Sequence, residues 1–168
     1  MEREVARTTR SGPGGFMYVG KFMTTDVITL HEDDTLDLAQ SEMGWARIRH
    51  IPVIRRGRLV GLVTQRDVLG VMHSRFAELD DSQQKSLLSA VAVDEIMEAS
   101  VLTIDPEATM AEAGRLMLDN KIGCLPVVVD GDRLIGIITN ADFVELAARL
   151  LEGAELNAKT VDREEDQD

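Results

Sequence analysis

Two apolar periods alternate along the chain. Leu36, Ala39 and Met43 are spaced by three and four residues, and so are Met110, Ala113 and Met117. That spacing marks one face of a helix. Between the helical stretches lie short runs of a different kind: "VITL" at 27–30, "HIPVI" at 50–54 and "RLVGLVT" at 58–64, then "VLTI" at 101–104, "LPVVV" at 125–129 and "RLIGIIT" at 133–139. Runs of this length, rich in β-branched residues and bounded by Gly and Asp, predict strands. The Asp-Gly at 130–131 predicts a hairpin turn, and Gly57 marks its counterpart. Thr109 followed by Glu112 is a capping box that starts the helix of Met110. A further helix is predicted after Thr64 and another after Thr139; in the first of these Val68, Met72, Phe76 and Leu79 form the apolar face. "SLLSAVAV", 86–93, is predicted as a linker helix.

The alternation is a duplication. At a shift of 74, Met23, Val27, Thr29, Thr35, Ala39, Met43, Ile48, Pro52, Val53 and Gly57 meet identical residues. One added residue in the second hairpin makes the shift 75, and Leu59, Gly61, Thr64 and Asp67 meet Leu134, Gly136, Thr139 and Asp142. The chain is therefore expected to be α/β (α+β), a β-α-β-β-α unit written twice. The expected divisions are an arm at 1–16, a first repeat at 17–79, a linker at 80–94, a second repeat at 95–151 and an acidic tail at 152–168.

Composition narrows the chemistry. Hydrophobic residues are 44% but aromatics only 4%, so the core must be built from aliphatic residues, Ala and the 8 Met. The single cysteine, Cys124, excludes an internal disulfide and reads as a small buried hydrophobe. His31, His50 and His73 are not spaced as a metal-ligand set. The N-terminal residues are too polar for a signal peptide, and no run is long enough to span a bilayer, so a cytoplasmic protein is expected. A net charge of -12 argues against nucleic acid as a partner. One window departs from that mean: Trp45 to Arg66 carries six arginines and no acid, whereas Asn120 to Ala141 carries Lys121 and Arg133 against Asp130 and Asp132. Arg55, Arg56 and Arg58 suit a solvated hairpin tip. Arg47 and Arg49 are candidates to face a small anion.

The duplicated "GLVTQRD" and "GIITNAD" carry the candidate chemistry. Thr-x-x-Asp is first of all a helix cap: the hydroxyl takes a backbone N–H and the carboxylate sits at the positive end of the dipole. The same geometry binds anions, because a helix start presents unpaired N–H groups. A Thr hydroxyl there can reach a phosphate, and a carboxylate one turn on can accept from a ribose diol. Gly61 and Gly136 are expected to leave room for a ligand beside the strand. No P-loop, nucleophile elbow or acid–base dyad accompanies them, so an enzyme is not expected.

The doubled unit, with "RHIPV" and "CLPVV" before the hairpins and "GLVTQRD" and "GIITNAD" after them, resembles the paired cystathionine β-synthase (CBS) domains of small bacterial or archaeal proteins, a Bateman module, over residues 17–150. That resemblance implies two small sheets packed about a pseudo-twofold axis, with two clefts between the repeats for an adenine nucleotide (AMP, ADP or ATP). It implies Thr64 and Asp67 for phosphate and ribose in the first cleft, with Arg49 and His50 on the phosphates and Ile104 and Ile122 beside the adenine. In the second cleft it implies Thr139 and Asp142, with Leu30 and Ile48 beside the adenine. The places of Arg49 and His50 hold Gly123 and Cys124 in the second repeat, so that cleft lacks the basic clamp. The resemblance further implies a non-catalytic regulatory module, a homodimer and a regulated partner protein. S-adenosylmethionine or a dinucleotide is the alternative ligand, and an unliganded interaction scaffold the alternative role.

Overall fold

The computed structural model describes residues 17–75 and 80–164. The 1–16 arm, Phe76, Leu79 and residues 165–168 lie outside the described residues. The elements are β1 (Leu30–His31), α1 (Leu36–Ala46), β2 (His50–Arg55), β3 (Arg58–Thr64), α2 (Gln65–Arg75), α3 (Asp81–Leu88), α4 (Met110–Asn120), β4 (Cys124–Val129), β5 (Arg133–Thr139) and α5 (Asn140–Glu164). Single 3-10 turns at Val19–Lys21 and Val93–Glu95 precede the two repeats.

Local chemistry explains the boundaries. The hydroxyl of Thr35 accepts from the Leu38 N–H and starts α1. Thr109 and Glu112 form the expected reciprocal box at α4, with Thr109 N–H donating to Glu112 Oε2 at 2.9 Å and Glu112 N–H to Thr109 Oγ1 at 3.2 Å. Both hairpins turn through two residues of positive φ, Arg56 (53°) with Gly57 (76°) and Asp130 (52°) with Gly131 (93°), the geometry of a tight hairpin. β2 pairs antiparallel with β3, and β4 with β5. The two hairpins join into one five-stranded sheet, β1-β2-β3-β5-β4, through a single pair, Arg58↔Arg133. An Arg58–Asp132 ion pair and a 2.8 Å bond from Leu59 N–H to the Asp132 carbonyl reinforce that join.

Each repeat has its own core. Leu36, Ala39 and Met43 of α1 pack with Ile51, Val53, Val63 and Val68. Met110, Ala113 and Met117 of α4 pack with Leu125, Val127 and Ile138. The segment that leads into one repeat closes the core of the other. Val91 and Val93 are buried in the first core, with Met97 packed against it. Val19 is buried in the second, with Phe22 and Met23 against it. Fully burying one such valine contributes about 1.5–3 kcal/mol. Backbone bonds match the exchange: Glu98 and Leu62 bond reciprocally at 2.9 and 3.0 Å, and Thr24 and Ile137 reciprocally at 2.9 Å.

This exchange accounts for two departures from the sequence expectations. The "VITL" and "VLTI" runs pair only at their last residues, Leu30↔Val53 and Ile104↔Val127, because the preceding residues cross between repeats. The linker helix covers 81–88 rather than 86–93. Beyond it Val91 and Val93 are buried on either side of the less buried Ala92, which bridges Thr35. Ala92 is extended, and Val93 opens the 3-10 turn that follows. α5 continues through 152–164, the stretch expected as an acidic tail. No described helix is long and apolar enough to cross a membrane.

Candidate functional site

The two Thr-x-x-Asp motifs share their carboxylate hydrogen bonds and differ in which backbone N–H reaches the hydroxyl. At the start of α2, Asp67 Oδ2 accepts from the Thr64 N–H at 2.8 Å and from the Thr64 hydroxyl at 2.7 Å. The Asp67 N–H donates back to Thr64 Oγ1 at 3.4 Å. At the start of α5, Asp142 Oδ2 accepts from the Thr139 N–H at 2.7 Å and from its hydroxyl at 2.9 Å, while the Ala141 N–H donates to Thr139 Oγ1 at 3.2 Å. Each pair is half-buried. The helix-cap reading is therefore met in full. Both hydroxyls and one carboxylate oxygen of each Asp are engaged, and the other carboxylate oxygen takes no part in the cap.

The chain entering β2 and β4 lies against these helix starts. The Gln65 N–H donates to the Arg49 carbonyl at 2.9 Å, and the Asn140 N–H to the Gly123 carbonyl at 3.1 Å. Around the first motif, Arg47, Arg49 and Arg66 are all exposed, and none is ion-paired with a described residue. Arg55 and Arg58, in contrast, are held by Glu32 and Asp132. Lys121, Gly123 and Ala141 hold the corresponding places around the second motif.

His50 is half-buried and crosses the seam between the repeats. A β-carbon at Gly123 would lie 3.0 Å from its Nε2 and 3.1 Å from its Cε1, and 3.6 Å from the Asn140 amide nitrogen. Burial is the main cause that lowers the His50 pKa; the neighbouring Arg49 lowers it further and Asp67 opposes both. Cys124, at the matching position, is buried, and burial pushes its thiol up to about 12. It stays a neutral apolar filler.

The remaining candidates separate. Leu30 is 1% exposed and Ile104 8%, each inside the core of its own repeat rather than on an open wall. Ile48 and Ile122 pack half-buried on the same two cores. The glycines differ from expectation too. The open side of Gly61 is filled by the Met97 thioether and that of Gly136 by the Met23 thioether, where any β-carbon would collide. They make room for methionine from the crossing segments, not for a ligand. The identity of Met23 and Met97 across the repeat was the sequence signal for this contact. Asp142 also borders a cavity of about 130 Å³, with Lys21, Phe22, Glu145, Leu146 and Arg149. Ligand pockets begin at about 300 Å³, so a nucleotide would need these side chains to move.

The family model of the CBS domain matches residues 19–74 and again 93–149. This chain belongs to the CBS-domain family. Its paired CBS repeats are 31% identical over 135 residues to a CBS domain-containing protein of Dictyostelium discoideum, covering 80% of this chain and 93% of that one. They are 39% identical to an inosine-5'-monophosphate dehydrogenase of Korarchaeum cryptofilum, covering 72% of this chain but only 22% of the enzyme. Among solved structures, CBSX2 in complex with AMP matches with a TM-score of 0.66 and 28% identity, covering 80% of this chain and 98% of that one. The CBS domain pair of protein MJ0100, in complex with 5'-methylthioadenosine and S-adenosyl-L-methionine, matches with a TM-score of 0.66 and 25% identity over 83% and 99%. CBS pairs of this fold thus bind adenosine-based small molecules, and the module also occurs as one part of larger enzymes.

Proposed function

We propose that this CBS pair is a non-catalytic regulatory module that binds an adenine nucleotide (AMP, ADP or ATP) between its repeats and signals its presence to a partner protein in the cytoplasm. The observation that carries this is the twofold Thr–Asp pair at two helix starts. Each offers a hydroxyl for a phosphate and a carboxylate for a ribose diol, and the first is flanked by exposed arginines that are not ion-paired with a described residue. AMP in CBSX2 supports the same ligand class. Thr64, Asp67, Arg49 and His50 are the proposed contacts of the first cleft, and Thr139 and Asp142 those of the second.

A homodimer is part of the proposal. Val144, Leu150 and Leu151 of α5 are exposed, and a second copy would cover them. Two specific observations favour other readings. The MJ0100 complex favours S-adenosylmethionine as ligand, and the internally satisfied caps favour an unliganded scaffold.

Thermal unfolding in the presence of AMP, ADP, ATP and S-adenosylmethionine tests the scheme. A ligand of the native state at a hundred times its dissociation constant adds about 2.7 kcal/mol. No shift with any of the four, at millimolar concentration, would leave the scaffold reading standing.

A further inference from the structure

Two methionines hold the crossing segments against the sheet. A β-carbon at Gly136 would lie 2.5 Å from the sulfur of Met23, and one at Gly61 would lie 2.3 Å from the sulfur of Met97. Each sulfur fills the space of an absent side chain on a strand of the other repeat. The residue after each methionine makes the backbone bonds of the crossing, Thr24 with Ile137 and Glu98 with Leu62. Those bonds engage the N–H groups of Ile137 and Leu62, the residues that follow the two glycines. Met23 and Met97 are half-buried, whereas Met43, Met110 and Met117 are at most 5% exposed inside the cores.

We propose that Met23 and Met97 are a paired modification site, oxidised by hydrogen peroxide to the sulfoxide, and that this modification releases the crossing segments from the sheet. Each sulfur takes one oxygen atom from a peroxide molecule. An S–O bond forms, the O–O bond breaks, the sulfur gives up two electrons and the peroxide leaves as water. A flexible apolar side chain becomes a polar one. The sulfur already lies against the glycine, so the new oxygen cannot turn toward the strand, and the N–H groups of Ile137 and Leu62 are engaged. A polar oxygen held there without a donor disfavours the closed arrangement; a segment swung into solvent hydrates it. The site needs only the crossing segments, so it stands whether or not a nucleotide binds.

The test exposes the full chain to millimolar hydrogen peroxide, reads oxygen uptake at each methionine by peptide mass spectrometry and follows the melting temperature. Met23 and Met97 should oxidise ahead of Met43, Met110 and Met117, and the melting temperature should fall by about 4–8 °C as they do. Methionine sulfoxide reductases A and B should reverse that fall. The double variant Met23→Leu/Met97→Leu, a volume-conserving change, should melt at the same temperature before and after peroxide. Met17 is 39% exposed, and Met17→Leu should fall as far as the wild-type chain. Oxidation of the core methionines first, unchanged melting once Met23 and Met97 carry oxygen, or an equal fall in the double variant overturns the inference. If the double variant does not fold, the single replacements decide: each should halve the fall, and a full fall in both overturns it.

Discussion

The two motif corners share a backbone and differ in charge. In Thr64–Asp67 and Thr139–Asp142 the carboxylate accepts the same two hydrogen bonds within about 0.2 Å. Around them the first repeat places Arg47, Arg49 and Arg66 where the second has Lys121, Gly123 and Ala141. The cap is a folding requirement, so duplication preserved it. The flanking residues are exposed and cost the fold little to change, so they are where the repeats diverged. A motif that folds a helix can therefore be carried twice while the chemistry around it is held once.

The largest effect should separate the corners directly. Asp67→Ala should weaken AMP or ATP by tenfold to roughly 150-fold, the range of a lost charged hydrogen bond. Asp142→Ala should leave the tighter site nearly intact. Calorimetry on both variants reads the difference, and the reverse order would show that the arginines do not define the stronger cleft.

Next comes the packing of the crossing segments. Gly136→Ala meets the Thr24 carbonyl at 3.0 Å as well as the Met23 thioether, whereas the three atoms nearest a β-carbon at Gly61 all belong to the Met97 side chain. A thioether can swing aside and a hydrogen-bonded carbonyl cannot. Gly136→Ala should therefore cost about 1–3 kcal/mol in urea unfolding, and Gly61→Ala less. Equal costs would mean that Met97 is as fixed as backbone.

The caps should then prove equivalent. Thr64→Ala and Thr139→Ala should each cost about 1 kcal/mol of stability. A twofold difference between them would show that the matching distances conceal unequal helix ends.

pH offers a smaller effect confined to one repeat. His50 has a lowered pKa in the folded chain, so the unfolded chain binds its proton more readily. Its contribution is intact above the unfolded value of about 6.5 and is lost as pH falls through it. Melting temperature without ligand should fall between pH 7.5 and 5.5, and His50→Gln should flatten that fall. No substitution at Cys124 should do the same.

The smallest effect is at Trp45. It is 84% exposed on α1, and its counterpart is Asp119. It packs little against the described residues, so Trp45→Ala should change monomer stability by no more than about 0.5 kcal/mol. Its emission should respond to dilution through dimer dissociation more than to nucleotide. A monomer by light scattering at micromolar concentration would remove the dimer from the proposed function.

Much was decided locally and so was legible in the amino-acid order. Helical spacing placed Leu36, Ala39, Met43 and their copies in the cores, Thr35 and Thr109 set the helix starts, and the duplication itself fixed the architecture. These depend on contacts within a few residues or on a repeating period. The exchange of lead-in segments left only the repeated Met23 and Met97 as a trace in the amino-acid order, because it pairs Met23 with Gly136 and Met97 with Gly61 across distances no local pattern spans. For the same reason Val91, and Val93 at the start of a 3-10 turn, became core residues instead of parts of a linker helix. His50 was assigned by its neighbours in sequence to the first motif. Only the packing of the seam, where Gly123 has no side chain, decided that its ring rests on the second repeat.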